Sequence, residues 1–388
     1  MTTWFTLPTK VVYGDRAVRE IGPIASSAAF RHAMIVTDSG VRRAGLADVV
    51  AESLRQAGVV TTIYDRVSSN PRSVECSAGA EAMSKAGIDL VVAVGGGSAV
   101  DAAKAMALLV TNGGQVQDYI PSLGGQVVAE PMLPLYAVPT TCGTGAEVSP
   151  TAIITITGNR QKVTLKPCPP AIAFVDPMLA LSMPAHLAAS TGIDALSHAV
   201  EAFISPNASP YTDLFAVQAI RMIAANLRDA VRATGEPRHD PMSAMMYAAN
   251  LAGFSLRAGT GQVHSLGHAL GGVLDIPHGQ AMAVLLSAVL RYHLDYLAPR
   301  LAELAQLMGQ NTFGLSERLA AERAVDAISR LREDVGLPGR LVDVGVGEEH
   351  LVPLTDVVML PDEAQRRNRP RPCTREDVLA MYHLALTP

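Results

Sequence analysis

Up to about residue 180, short apolar runs rich in β-branched residues alternate with longer stretches whose apolar positions recur at helical spacing, the pattern of a parallel sheet flanked by helices. The apolar runs predict strands over 10–13, 33–37, 59–64, 89–94 and 133–138. The amphipathic stretches predict helices near 16–27, 41–57, 72–86 and 98–110. Beyond about Pro184 the texture changes to Ala- and Leu-rich segments of helical periodicity, broken by polar or proline-bearing loops at 205–210 and 235–241, with no strand pattern of comparable quality. Two domains follow from this: an α/β domain with a parallel, Rossmann-like sheet over 1–180, and an all-helical domain over 181–388, with the boundary expected within 178–186. No internal repeat or low-complexity tail intervenes.

Composition narrows the class. The 388 residues are 49% hydrophobic and 17% charged, with a mean hydropathy of +0.23, values that raise the question of a membrane protein. A bilayer span needs about 20 consecutive apolar residues, and the longest charge-free stretches, 177–193 and 258–274, are interrupted by Gly, Pro, Thr or His. The first ten residues lack the basic and apolar regions of a secretion signal, so a cytoplasmic protein without a membrane partner is expected. Thirty-one Lys and Arg against 36 Asp and Glu give a net charge of −5 without charged runs, which argues against nucleic acid. The four cysteines, at 76, 142, 168 and 373, lie far apart and form no CxxC pair, which argues against a disulfide framework or a zinc ribbon. High apolarity with low charge instead predicts a large core and a homodimer or higher homo-oligomer; a sedimentation mass equal to one chain would refute the latter.

Three loops in the first domain carry candidate binding residues. The strand at 89–94 runs into Gly95-Gly96-Gly97-Ser98 and then a helix. Small residues let the backbone approach a phosphate there, and the helix start favours its charge. The loop lacks the spacing of the GxGxxG fingerprint, and an unliganded tight turn is the plain alternative. Asp101 is placed to cap the first turn of that helix and belongs with the cofactor-binding candidates. A second loop, Pro139 to Glu147, is dense in hydroxyls at Thr140, Thr141 and Thr144, and suits ribose, phosphate or carboxamide. Asp38 closes the strand at 33–37, where a carboxylate accepts from a ribose 2′-hydroxyl and repels a 2′-phosphate, predicting NAD(H) over NADP(H). It is equally well placed as a helix N-cap.

The second domain carries candidate metal ligands. Asp194 and His198 stand four residues apart, one face of a helix. Taken alone, such a pair also fits a surface contact or a core hydrogen bond. Three of the chain's ten histidines, His264, His268 and His278, then fall within fifteen residues in an apolar, glycine-rich setting. Imidazoles in such surroundings need partners, and a shared cation supplies them. One Asp with several His suits Fe²⁺, Zn²⁺, Co²⁺ or Ni²⁺, whereas Mg²⁺ and Ca²⁺ favour mainly oxygen.

GGGSAVDAAKA at 95–105, PTTCGTGAEV at 139–148, VDP at 175–177, GIDALSHAVEAFIS at 192–205, VHSLGHALGG at 263–272 and PHG at 277–279, in this order, resemble the iron-containing alcohol dehydrogenase family over nearly the whole chain. The resemblance implies the family's two-domain fold and an NAD-dependent alcohol dehydrogenase or aldehyde reductase acting on a small alcohol or aldehyde. It implies metal ligation by Asp194, His198, His264 and His278, with Fe²⁺ the first expectation and Zn²⁺ the second. His268 corresponds to the family's second histidine of the HxxxH pair, near the nicotinamide and off the metal, and is the candidate proton relay. Gly95, Gly96, Gly97, Ser98, Thr140, Thr141 and Thr144 match cofactor-binding positions, with Asp38 and Lys162 at the ribose. The implied site lies in the cleft between domains.

Three departures are visible, one of them a segment at 166–170, KPCPP, less regular than is usual for the family. Ala146 replaces a common serine, and Arg257 stands where small or amide residues are usual, a candidate anion contact or simply a surface or interface arginine. A hydroxyacid–oxoacid transhydrogenase with tightly held cofactor is the alternative, separable by net turnover with free NADH. A lyase resembling dehydroquinate synthase is disfavoured because the metal segments are poor in Lys and Arg. A non-catalytic binding module is disfavoured by the intact ligand set.

Overall fold

The computed structural model describes residues 5–158, 161–166, 168–234, 240–360 and 368–387. Most of the loop expected at 235–241 therefore lies outside the described residues. The chain forms two compact units, Met1–Met183 and Pro184–Pro388.

The first unit is built on a six-stranded, all-parallel sheet in the order β1-β8-β5-β4-β2-β3. Its strands are β1 (Lys10–Tyr13), β2 (His32–Val36), β3 (Val60–Tyr64), β4 (Leu90–Gly95), β5 (Leu135–Pro139) and β8 (Ile172–Val175). Central β4, with the sequence LVVAVG, is buried throughout, which is why it reads as an unbroken apolar run. Its residues alternate between two cores. Leu90, Val92 and Val94 pack with α1 (Ile21–Ser27) and α3 (Leu46–Gln56), and Val91 and Ala93 with α4 (Ser73–Ala86) and α5 (Gly97–Asn112). Each fully buried Val or Leu contributes roughly 1.5–3 kcal/mol. A short helix α2 (Ser39–Arg43) follows β2.

The five strands expected from the sequence are present within two residues. Three short ones were not expected: β8, and the antiparallel hairpin β6 (Ala152–Thr155) with β7 (Lys162–Leu165). The VDP motif proves to be a structural knot. Buried Asp176 accepts from the backbone N–H groups of Arg16, Val18 and Met178 at 3.0, 3.3 and 3.1 Å, tying the end of β8 to the segment after β1.

The second unit is helical: α6 (Ala185–Ile204), α7 (Pro210–Arg232), α8 (Asp240–Ser255), α9 (Gln262–Leu274), α10 (His278–Tyr292), α11 (Leu294–Leu307), α12 (Glu317–Asp334), α13 (Leu351–Val358) and α14 (Arg375–Leu386). Helix α6 packs on α7, α8 and α10, and α9 on α10 and α13. Among the described residues no single helix is long and apolar enough to cross a membrane. The apolar pair α10–α11 bends by 115°, and most of α10 is buried.

Candidate active site

In the first unit, β2 connects outward to β3 while β4 connects to β5 on its other side, so the sheet has a topological switch point between β2 and β4. Open α/β sheets bind ligands outside the carboxyl ends of strands at such a point. Asp38 follows β2 and Gly95–Ser98 follow β4, flanking it. Gly95 pairs in register with Pro139 of β5, and its carbonyl accepts from the Thr140 N–H at 3.0 Å, so the threonine loop leaves the sheet at the same level.

Gly95 has φ +152°, and a Cβ there would lie 2.7 Å from that of Ala99. A Cβ on Gly97 would meet the Thr144 side chain at 2.6 Å, so this glycine makes room for the second loop as well as opening a helix start to an anion. Gly96, the N-cap of α5, supplies no side chain, and Ser98 Oγ donates to the Ser69 carbonyl at 2.5 Å. That contact brings in a segment, Ser68 to Pro71, whose only sequence signal was its Asn-Pro turn dipeptide.

Asp38 does cap a helix. Its Oδ1 accepts from the N–H groups of Gly40 and Val41 at 2.7 and 3.0 Å, while Oδ2 lies 3.6 Å from where a Gly95 Cβ would stand. The cap thus occupies Oδ1, and Oδ2 stands on the side of the glycine loop. Asp101, in contrast, does not cap α5. It sits five residues into the helix, where Oδ2 accepts from the Ile153 N–H at 2.9 Å and Oδ1 lies 3.4 Å from Lys104 Nζ. Its carboxyl is pushed up by burial, against the pull of Lys104 and of Lys162 at the start of β7. Asp101 is therefore an internal anchor of the hairpin that carries Lys162.

In the second unit, α6 presents Asp194, His198 and Glu201 at i, i+4 and i+7, one face of the helix. Helix α9 contributes His264 and His268, and His278 opens α10. Its neighbour Gly279 allows close approach: a Cβ there would lie 2.5 Å from the Ser190 carbonyl oxygen on α6. Asp194 Oδ1 thereby lies 3.9, 3.7 and 3.4 Å from Nε2 of His198, His264 and His278. The rings of His198 and His264 stack with centroids 4.4 Å apart.

These separations are long for hydrogen bonds, and they suit ligands of one ion: bonds of about 2.0–2.1 Å at tetrahedral angles place donors roughly 3.3–3.5 Å apart. Among the described residues Asp194 Oδ1 and His264 Nε2 are buried without hydrogen-bond partners, and one ligand atom each from Asp194, His198 and His264 lies within 4.8 Å of the others. The residues fit a borderline divalent cation bound by nitrogen and oxygen.

The electrostatics agree. Burial opposes ionisation of Asp194, yet the surrounding imidazoles of His198 and His278 hold its carboxyl well below the usual range. Desolvation pushes His198 down to about 4. Burial also disfavours charge on His264, but two flanking carboxylates, Asp194 and Glu201, lift it to about 9. His268 stands edge-on to His264 at 6.0 Å and 5.6 Å from His278, beside the donor set. Arg257 lies in the short turn Leu256–Ala258, partly buried, and burial lowers its pKa.

The family models decide the class: "Iron-containing alcohol dehydrogenase" matches residues 8–177, and "Fe-containing alcohol dehydrogenase family, C-terminal" matches 188–386. The chain belongs to the iron-containing alcohol dehydrogenase family. It is 36% identical over 389 residues to the NAD-dependent methanol dehydrogenase of Bacillus methanolicus, covering 100% of both chains. It is 37% identical over 386 residues to the 1,3-propanediol dehydrogenase of Citrobacter freundii, covering 98% of both. The solved structure of a 1,3-propanediol oxidoreductase is similar at a TM-score of 0.94 and 36% identity, covering 100% of both chains. As a family member the chain is an alcohol oxidoreductase working with NAD(H) and a divalent metal, on the fold expected from the sequence.

Two polar residues of the site region were passed over in the sequence: Glu201, inside the GIDALSHAVEAFIS segment, and Lys104, inside GGGSAVDAAKA. Each had a signal, a charged residue within an otherwise apolar helix.

Proposed function

We propose that the chain interconverts a small alcohol and its aldehyde, with Asp194, His198, His264 and His278 holding the metal and Asp38, Gly95–Ser98, Thr140, Thr141, Thr144 and Lys162 holding NAD(H). The observation that carries this reading is the convergence of three imidazole nitrogens on the buried, otherwise unpartnered Oδ1 of Asp194. When bound, the metal supplies Lewis acidity toward the substrate oxygen and the nicotinamide supplies the hydride chemistry.

The chain's own residues do the rest. The glycine loop and the start of α5 favour the pyrophosphate. Asp38 accepts from a ribose hydroxyl through the oxygen that does not cap α2, and its charge discriminates against a 2′-phosphate. His268, one turn beyond His264 on α9, carries the hydroxyl proton to and from solvent. Val263, Leu266 and Leu270, on the helix that carries His264 and His268, are buried.

A cytoplasmic homo-oligomer belongs to the same reading. Val11 and Tyr13 on edge strand β1, and Leu214 on α7, leave apolar surface that a second copy would cover.

The test is His264→Ala. Loss of one metal donor should remove several kcal/mol of transition-state stabilisation, a fall of roughly 10²–10³-fold in alcohol-dependent NAD⁺ reduction, while NADH affinity by fluorescence titration stays within about twofold. Full turnover by this variant after metal stripping would refute the assignment.

A further inference from the structure

The geometry points to Glu201 as the positioning residue that fixes the ring tautomer of His264 for metal binding, an inference that rests on the metal reading above. Glu201 is 3% exposed, and its ion-pair partner among the described residues is His264. Its two oxygens have separate tasks. Oε1 accepts from the Val263 N–H at 2.6 Å, and Oε2 lies 2.6 Å from His264 Nδ1. A Cβ on Gly261 would crowd Oε1 at 3.0 Å, so the absence of a side chain there keeps the carboxylate's seat open.

The consequence is chemical. A carboxylate only accepts and a backbone N–H only donates, so the Glu201–Val263 bond is fixed in sense, and Oε2 requires a proton on His264 Nδ1. The nitrogen left to carry a lone pair is Nε2, the atom that faces Asp194 Oδ1. Glu201 thus selects the ligating tautomer and brings a second carboxylate to a centre in which, among the described residues, Asp194 supplies the first.

This assigns Glu201→Gln a specific defect. Glutamine has one carbonyl for two donors. With that carbonyl kept on the Val263 N–H, the amide NH₂ faces Nδ1 and favours the tautomer protonated at Nε2, which cannot bind a cation. Zinc affinity, measured on the full chain by competition with a chelating dye, should fall about 10–100-fold, with NADH affinity unchanged. In a His264→Ala background the same substitution should have no further effect on zinc affinity, because Glu201 acts through that ring. Should the glutamine variant fail to fold, Glu201→Asp serves. One methylene shorter, it cannot reach both donors, and a several-fold loss is expected. Zinc affinity within twofold of the parent in either folded variant, or an undiminished Glu201→Gln effect without His264, would overturn the inference. A parent protein that takes up no zinc would instead refute the metal centre itself.

Discussion

Asp38 divides its two oxygens between structure and proposed specificity, and substitutions can separate the two. Oδ1 caps α2 through Gly40 and Val41, while Oδ2 is directed toward the glycine loop. Asparagine preserves the cap, since Asn and Asp are comparable N-caps, but removes the charge; glycine removes the side chain altogether at a cost of only a few tenths of a kcal/mol to the cap. Asp38→Asn and Asp38→Gly should therefore both relax the preference for NADH over NADPH, by about tenfold for ~1.4 kcal/mol of lost discrimination, with melting temperatures near the parent's. Steady-state kinetics with the two cofactors checks this. An unchanged cofactor ratio in both variants would remove Asp38 from the ribose.

The hairpin β6–β7 is held to α5 by a buried ion pair. Lys104 has no exposed surface; its Nζ donates to the Thr151 carbonyl at 2.6 Å and lies 3.4 Å from Asp101, whose other oxygen binds the Ile153 N–H. Lys104→Met keeps the volume but strands a buried carboxylate and a carbonyl, so a loss of about 3–5 kcal/mol is expected, read as a lower urea midpoint at unchanged slope. A loss below about 1 kcal/mol would show the pair to be slack. This element also marks where sequence reading stops. β4 and α5 were legible because burial on both faces leaves a long apolar run followed by glycines. The two hairpin strands have four residues each, one face of each strand only half-buried, and they are specified by partners distant in the chain, Asp101 and Lys104, that no local pattern reveals. The convergence of His198, His264 and His278 on Asp194 was legible as a candidate cluster because chemistry-bearing residues stood out in apolar helices. Glu201 stood in the same helix unread, since its meaning depends on the turn at Gly261–Val263, sixty residues away. Asp101 was misread as a cap because spacing alone does not say which way a side chain turns.

Across the whole molecule, pH should act on the metal-free protein from two sides. His198 and His293 are both buried and both held at about 4, chiefly by desolvation. Unfolded, they bind protons near the ordinary 6.5, so acidification from 6.5 toward 4 favours unfolding. His264 is held at about 9 by its flanking carboxylates against the effect of burial, so its contribution to stability is full below 6.5 and lost as pH rises through 9. Stability without metal should therefore peak near neutrality and decline in both directions. Metal cancels the alkaline limb. To ligate, His264 must release the proton on Nε2, so apparent zinc affinity should rise about tenfold per pH unit between 7 and 9 and level off above that. Since ligand bound only by the folded state adds about 1.4 kcal/mol for each tenfold gain in affinity, this gain offsets the loss through His264, and the zinc-loaded protein should hold its stability over the interval in which the metal-free form loses it. Calorimetric titration in buffers of different ionisation enthalpy should show close to one proton released per zinc at pH 7 and close to none at pH 10. A zinc affinity independent of pH between 7 and 9 would mean that His264 is already neutral, and that the two carboxylates do not hold its proton.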